Sequence, residues 1–208
     1  MTDVQKQYDF LLQNMAQGVF FQERSGALIE VNPAALEMFG LTRDQFLGRT
    51  SFHPDWRIVR EDGSDLPPAQ HPSMVALSTG ENVYNFVAGV YNPLSKSFTW
   101  LNINATPMFR DGEEKPYQTF VTLHDISEQI KTKNIYQSRL NLLELSQTHA
   151  LDELLVFTLD EAEKLTSSTI GFYHFYDCET QDITLNAWST GTPAHFCNGV
   201  PQEGHYPL

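Results

Sequence analysis

The chain has 208 residues, of which 41 % are hydrophobic and 12 % aromatic, so it can bury the core of one or two domains and is not disordered throughout. Acidic side chains outnumber basic ones by 26 to 13, which gives a formal net charge of −13. A surface this negative repels phosphate groups, so the composition argues against nucleic acid and against an anionic membrane surface as partners.

Targeting and membrane signals are absent from the sequence pattern. The N-terminus lacks the basic region and apolar run of a signal peptide, and no apolar stretch approaches the roughly 20 residues that span a bilayer. The two cysteines, Cys178 and Cys197, fit a reducing compartment better than a disulfide scaffold. We therefore expect a cytoplasmic protein without a membrane span.

The N-terminal part alternates helix and strand signals. Apolar residues at helical spacing predict an amphipathic helix over residues 4–15. Two short runs rich in Val, Ile and Phe, Gly18–Glu23 and Ala27–Val31, flank a Ser-Gly turn and predict a β-hairpin. The hairpin and the helix are the first elements of a mixed fold.

Two short helices follow the hairpin. Asn32 is typical of an N-cap, the next residue is a proline suited to the first helical position, and Gly40 is typical of the helix end. Thr42–Gln45 forms a capping box that predicts a further short helix ending before Gly48.

The middle of the chain is rich in strand signals. Residues 50–68 contain Pro, Gly, Asp and Ser and predict a loop, and Ser73–Leu77 predicts a short helix. Three strand-like segments separated by turn residues come next, Val83–Tyr91, Phe98–Met108 and Tyr117–Ile126.

The C-terminal part opens with helices. Residues from Ser127 to His149 include no Gly or Pro and predict one long helix, and Leu151–Leu165 predicts a second, amphipathic one. Thr169–Tyr176 and Ile183–Trp188 predict two strands, and the stretch from residue 189 predicts a loop without its own core. The element order predicts the α+β class, with antiparallel strands and helices packed to one side.

Three segments resemble PAS domains. Asn32–Gly48 is similar to the family signature, with an Asn closing the second strand, an Ala-Ala helix and a Phe-Gly pair before a capped helix. Trp100–Pro107 resembles the next-to-last strand, and Thr119–Ser127 resembles the last strand with its PAC-type exit motif Asp-Ile-Ser. The resemblance covers about residues 8–130 and implies a five-stranded antiparallel sheet with flanking short helices. It also implies a sensory role in signal transduction.

The C-terminal part resembles the beginning of a GAF domain. The helix Leu151–Leu165, the strands Ile170–Phe175 and Leu185–Ser189, and the tail His205–Leu208 carry this second resemblance. Only two strands are predicted here, so the resemblance implies an incomplete, truncated GAF-like α/β fragment with an unpaired strand edge. Together the two resemblances imply four regions: an N-terminal helix over 1–15, a PAS sensor over 16–126, a helical linker over 127–149 and a GAF-like domain over 150–208.

The PAS resemblance implies a ligand cavity between sheet and helices. On that reading the candidate ligand-binding residues are Trp56, Phe86, Trp100, Asn102 and Asn104, because polar groups on a cavity wall fix the orientation of a ligand. Two alternatives stay open: the asparagines face solvent or bond the neighbouring loop, and Trp56 contributes only packing.

The same resemblance implies a relay and partners. Asn32, Gly40, Asp125, Ile126 and Ser127 are the candidate structural and relay residues, since the last strand passes directly into the linker helix. We expect a homodimer through the N-terminal and linker helices, and an output such as a histidine kinase or a cyclic-di-nucleotide enzyme in another domain or protein. Apolar residues at broken heptad spacing form the candidate linker seam, Ile126, Ile130, Ile135, Leu140 and Leu142.

An enzymatic alternative stays open, namely a small hydrolase or metal-dependent enzyme that uses the His-rich segments. His71 is a candidate haem ligand, and His195, Cys197 and His205 are candidate metal ligands, but their spacing is not a recognised zinc pattern. A flavin photosensor would need a Cys where Thr50–His53 stands. Because no nucleophile elbow or phosphate-binding loop occurs, we predict no catalytic residues. No metal, haem or flavin is expected either, from the spacing of the histidines and the missing Cys, and an unknown small-molecule ligand stays open.

Overall fold

The computed structural model describes residues 2–192 and 205–207. The chain divides into two compact units, Met1–Glu128 and Gln129–Leu208. The first unit is built around one antiparallel sheet with strand order β2-β1-β6-β5-β4-β3. Its elements are α1 Asp3–Asn14, β1 Gly18–Glu23, β2 Leu28–Val31, α2 Pro33–Phe39, α3 Arg43–Phe46, β3 Ile58–Val59, α4 Pro72–Thr79, β4 Val83–Asn92, β5 Ser97–Met108 and β6 Gln118–Asp125.

The predicted α+β class, with an antiparallel PAS-like sheet and flanking helices, is confirmed. The sheet has one more strand than expected, because Ile58 and Val59 of β3 pair with Val90 and Gly89 in a segment predicted as loop. A strand of two residues is too short to give a period-2 pattern, so the sequence carried no signal for it.

The core of the first unit lies between one face of the sheet, called the inner face, and the helices α2, α3 and α4. Strands alternate their side chains between two faces, and every second residue of β5 is buried on this one. Sheet and helix residues form a single cluster that includes Phe20, Phe39, Phe46, Ala76, Leu101, Val121 and Leu123. This cluster leaves a small cavity, which is the candidate site described below.

Asn32 ties the first helix of the core to the sheet. Its Oδ1 accepts hydrogen bonds from the N–H of Ala35 at 3.0 Å and of Val19 at 2.8 Å, and its Nδ2 donates to the carbonyl of Gln17 at 2.9 Å. The residue is only 1 % exposed. It therefore caps α2 and also fixes the beginning of β1.

The second unit is formed by two helices and a small sheet. The helix α5, Ser127–Leu145, begins in the first unit and continues into the second. It is followed by α6 Leu151–Thr166 and by the antiparallel strands β7 Phe172–Asp177, β8 Asp182–Trp188 and β9 His205–Pro207, in the order β7-β8-β9.

The linker helix is shorter than predicted. It ends at Leu145 instead of His149, because the Leu145 carbonyl accepts from the N–H groups of both Thr148 and His149 in a tight turn. The Ser146 hydroxyl donates to the Leu143 carbonyl at 2.7 Å, which satisfies another acceptor left at the helix end. Side chains end this helix where the sequence offers no Gly or Pro.

The stretch from residue 189, predicted as a loop, contains structure of its own. Ser189 donates its N–H to the Gly171 carbonyl at 2.8 Å, and Thr192 accepts from the Gly171 N–H at 3.0 Å. The strand β9 pairs with β8, so β8 is not the free edge that two strands would leave. Residues 193–204, which include the candidate metal ligands His195 and Cys197 of the enzymatic alternative, lie outside the described residues.

Candidate functional site

A cavity of about 50 Å³ lies under the inner face of the sheet. A space of this size holds a few water-sized groups. Strands, short helices and the segment before α4 all contribute to its wall, which is lined by Phe20, Leu28, Phe39, Phe46, Ser51, Trp56, Ile58, His71, Pro72, Ser73, Val90, Ile103, Val121 and Leu123.

Aromatic rings form one side of the cavity. The Phe20 and Phe46 rings meet edge to face at 5.6 Å, and the Phe39 and Trp56 rings do so at 5.4 Å. The Trp56 indole N–H donates to the Thr50 carbonyl at 2.9 Å, which fixes the ring against the core. The structure thus places Trp56 in the wall, where it packs and also borders the cavity.

A few polar groups face this otherwise apolar space. The Ser51 hydroxyl lines the cavity and accepts from Nε2 of the fully buried Gln22 at 2.9 Å. Gln22 Oε1 has no hydrogen-bond partner among the described residues. The Nε2 atom of His71 lies 3.3 Å from the Leu66 carbonyl oxygen, and Ser73 also lines the wall. Ser51, His71 and Ser73 are the polar residues of the lining.

His71 is neutral at pH 7 in this environment. Burial lowers the pKa of His71, and the hydrogen bond to the Leu66 carbonyl opposes this effect more weakly. No Asp, Glu, Lys or Arg lines the cavity in the described part of the chain. The site is therefore uncharged near neutral pH.

The lowered pKa of His71 predicts a pH-dependent stability. Because the unfolded chain binds a proton more readily, the free energy of unfolding is highest above the ordinary histidine pKa of about 6.5. It falls as the pH drops below that value toward the folded-state pKa. Chemical unfolding between pH 5 and pH 8, for wild type and for His71→Gln, measures the effect. We expect a smaller loss in the variant, and equal pH profiles would contradict the assignment.

Three of the predicted ligand-binding residues lie on the wrong face of the sheet. Trp100, Asn102 and Asn104 alternate along β5 with the buried inner-face residues Leu101, Ile103 and Ala105. They consequently point to the outer face, away from the cavity. The Asn104 Oδ1 instead accepts from the N–H of Asn85 at 2.8 Å, so it bonds the neighbouring strand β4 where the open alternative expected a loop.

Phe86 lies on the inner face but does not border the cavity. It pairs with Ile103 in the neighbouring strand and packs against the core cluster. Of the five predicted ligand-binding residues, only Trp56 is part of the cavity wall.

The junction between β6 and α5 is held by hydrogen bonds to one residue of β5. Trp100 donates its N–H to the Ser127 hydroxyl at 2.9 Å and accepts from the Ile126 N–H at 2.8 Å. The Asp125 carboxylate accepts from the Ser127 N–H at 2.8 Å and so helps to begin the helix. The beginning of α5 is thereby attached to the end of the β5–β6 ladder.

The sequence analysis did not predict the polar residues of the cavity wall as ligand-binding residues. Ser51 was noted only as part of the segment that lacks a photosensor's cysteine, and His71 only as a candidate haem ligand. Gln22 carried a usable signal, since it follows Phe20 at period 2 and is therefore a polar residue on an apolar strand face. Ser73 gave none, because it stands in a short helix with a weak pattern.

Comparisons with known proteins agree with this architecture. The PAS domain family matches residues 16–128, which is more than half of the chain, and the protein belongs to that family. No curated protein sequence matches the chain significantly.

Several solved structures are similar to the chain. A PAS domain of a protein from Colwellia psychrerythraea is 12 % identical, with a TM-score of 0.47, covering 61 % of this chain and 99 % of the other. A domain of a sensory box sensor histidine kinase/response regulator from Geobacter sulfurreducens is 20 % identical, with a TM-score of 0.44, covering 59 % and 94 %. An RNA-binding light-oxygen-voltage receptor is 15 % identical, with a TM-score of 0.51, covering 70 % and 39 %. At 15 % identity, the similarity to this receptor shows a shared fold and nothing further.

Two kinds of feature do not occur in residues 2–192 and 205–207. None of the helices there is both long and apolar enough to cross a bilayer. No group of three or more His, Cys, Asp or Glu side chains in the same residues is arranged to hold a metal ion.

Proposed function

We propose that the first unit is a sensor that binds a small, uncharged, mainly apolar molecule in the cavity and relays its presence through α5. The observation that carries the proposal is the position of β6. Val121 and Leu123 of this strand line the cavity, and Asp125, two residues further on, begins the junction with the helix. A ligand that displaces β6 would therefore displace the helix start.

The chemistry of the cavity wall supports this ligand class. A charged ligand would lose its hydration without gaining a counter-charge, which is strongly unfavourable. An apolar molecule gains about 25 cal/mol for each Å² of its surface removed from water. The hydroxyls of Ser51 and Ser73 provide hydrogen-bonding groups for one polar atom of the ligand. The small volume supports the expectation of neither haem nor flavin.

The proposal also covers the exit motif, the second unit, the partners and the cellular location of the protein. Asp125–Ser127 is proposed to act as a PAC-type exit motif, and the second unit to be a GAF-like domain. We further propose a homodimer whose output is a signalling domain or protein such as a histidine kinase or a cyclic-di-nucleotide enzyme. The two cysteines and the acidic composition support a cytoplasmic location.

Xenon is a suitable probe because it enters small apolar protein cavities. Methyl NMR spectra of the full chain are recorded at increasing xenon pressure. We expect saturable shifts of the cavity methyl groups of Ile103, Val121 and Leu123, and no such shift for the exposed Leu94. A response of the cavity methyl groups indistinguishable from that of Leu94 would overturn the proposed ligand class.

A matched pair of variants localises the binding. Ser73→Leu places an apolar side chain at the cavity wall and is expected to abolish the xenon shifts. Ser78→Leu is the control, because Ser78 is exposed on the same helix and does not line the cavity. If both variants bind xenon like the wild type, the probe occupies another place.

A further inference from the structure

Two of the N–H groups on the cavity wall are already used by backbone carbonyls. The Trp56 indole donates to its acceptor at 2.9 Å, and Nε2 of His71 lies 3.3 Å from another carbonyl oxygen. Because a carbonyl oxygen only accepts, Nε2 carries the hydrogen of the neutral imidazole. Neither N–H is therefore available to a ligand. The remaining side-chain hydroxyls of the lining belong to Ser51 and Ser73.

The side-chain amide of Gln22 fixes the role of the Ser51 hydroxyl. Nε2 of Gln22 donates to the Gly26 carbonyl at 2.7 Å and to the Ser51 hydroxyl at 2.9 Å, so both of its hydrogens are used. Since an amide N–H only donates, the Ser51 oxygen is the acceptor in this bond. The hydrogen of the same hydroxyl is left for another partner.

The opposite orientation of the Gln22 amide is unfavourable. Exchanging Oε1 and Nε2 would place Oε1 against the Gly26 carbonyl, so that two acceptors faced each other. The observed orientation is found although Oε1 of the fully buried Gln22 has no partner among the described residues. The Gly26 carbonyl, in the turn between β1 and β2, therefore determines that Ser51 accepts from Gln22.

The Ser51 hydroxyl is a donor without an acceptor. No side chain or carbonyl among residues 2–192 and 205–207 accepts its hydrogen. Ser51 is only 6 % exposed and lines the cavity, so bulk water has little access to it. An unused donor in a buried site costs free energy, and a ligand atom that accepts its hydrogen removes this cost.

The backbone on either side of Ser51 is held in place. The Arg49 carbonyl accepts from the Leu28 N–H at 3.1 Å, and the Thr50 carbonyl accepts from the Trp56 indole at 2.9 Å. A donor that is already positioned loses little conformational freedom when a ligand binds. Ser51 is thus better prepared than Ser73, whose hydroxyl no hydrogen bond of the described residues fixes.

We infer that the ligand carries a hydrogen-bond acceptor, such as the oxygen of a short ketone or ether, to which Ser51 donates. Gln22 does not line the cavity and acts on the ligand only through Ser51, as a positioning residue. This inference rests on the proposed function, because it concerns the ligand of the same cavity.

Acetone and 2-methylpropene are matched probes, because they share one shape and differ in a carbonyl oxygen that replaces a methylene group. Methyl NMR titrations of the full chain measure both dissociation constants through Ile103, Val121 and Leu123. In Ser51→Ala the constant for acetone should rise about fivefold, and that for 2-methylpropene should stay within about twofold. Ser78→Ala is the matched control on the exposed side of α4 and should change neither.

Gln22→Met tests the positioning role. It keeps the approximate size of the side chain and removes both N–H groups, so the Ser51 hydroxyl is no longer held. We expect the constant for acetone to rise about threefold relative to that for 2-methylpropene. The carbonyl ¹³C resonance of bound acetone should also move upfield, as in Ser51→Ala, because its hydrogen bond is weakened. A merely structural effect would weaken both probes equally and would overturn this role.

The outcomes separate this inference from the proposed function. If neither probe shifts the cavity methyl groups, both fail. If both probes bind but Ser51→Ala weakens them equally, the donor role of Ser51 is wrong and the proposed ligand class stands. The same holds if Ser73→Ala reduces acetone binding, relative to 2-methylpropene, more than Ser51→Ala does.

Discussion

Gly40→Ala is expected to destabilise the first unit by about 3 kcal/mol, the sum of backbone strain and a steric overlap. Gly40 ends α2 with a φ of +63°, which disfavours any residue with a Cβ. A Cβ at this position would also overlap the Asn92 side chain. Asn92 donates from Nδ2 to the carbonyls of Glu37 at 3.1 Å and Met38 at 3.2 Å, so its displacement breaks two further hydrogen bonds.

Gly48 provides the matched control for this prediction. It has a φ of +87°, but nothing lies within 4 Å of a Cβ added there. Gly48→Ala should therefore cost only the backbone strain, about 1 kcal/mol. Chemical unfolding monitored by tryptophan fluorescence, in a Trp188→Phe background, reports on the first unit through Trp56 and Trp100. Equal losses in both variants would contradict the role assigned to Asn92.

Asn32→Ala is expected to cost about 2–4 kcal/mol, because it leaves several buried polar groups without partners. The N–H groups of Val19 and Ala35 lose their acceptor, and the Gln17 carbonyl loses its donor. Thr42→Ala is the comparison, since Thr42 is an exposed N-cap with a single bond of this kind and should cost about 1 kcal/mol. The same unfolding assay measures both. If the two losses are equal, Asn32 acts as a helix cap only.

The local chemistry of the sequence predicted much of this fold. The Asn-Pro helix start, the glycine that ends α2 and the capping box at Thr42 depend on neighbouring residues only, and each lies where expected. The long strands were predictable because their period-2 pattern extends over many residues. The two-residue strand β3 and the side-chain-terminated end of α5 gave no comparable signal.

The candidate site was less predictable, for a reason of geometry. Alternation along β5 showed that Trp100, Asn102 and Asn104 share a face, but polar side chains on a face do not establish that this face borders the cavity. The apolar residues between them, Leu101, Ile103 and Ala105, predict the core-facing side of the strand, because their burial is favourable. Ser51, His71 and Ser73 come together only in the folded chain.

Occupancy of the cavity is proposed to be coupled to α5. A fusion of residues 1–145 to a reporter kinase whose activity depends on helix phase tests it most directly. Ser73→Leu mimics an occupied cavity and should change reporter output, whereas Ser78→Leu should not. A Gly-Gly insertion after Glu128 rotates the downstream helix by about 200° and costs about 2 kcal/mol of helix stability, so it should remove the response to Ser73→Leu.

A seven-residue helical insertion at the same place is the control, because it changes the helix phase by only about 20° and should preserve the response. We predict a response to Ser73→Leu with the native and seven-residue linkers and none with Gly-Gly. A response that survives the Gly-Gly insertion unchanged, or no response to Ser73→Leu with the native linker, would contradict coupling between the cavity and the helix.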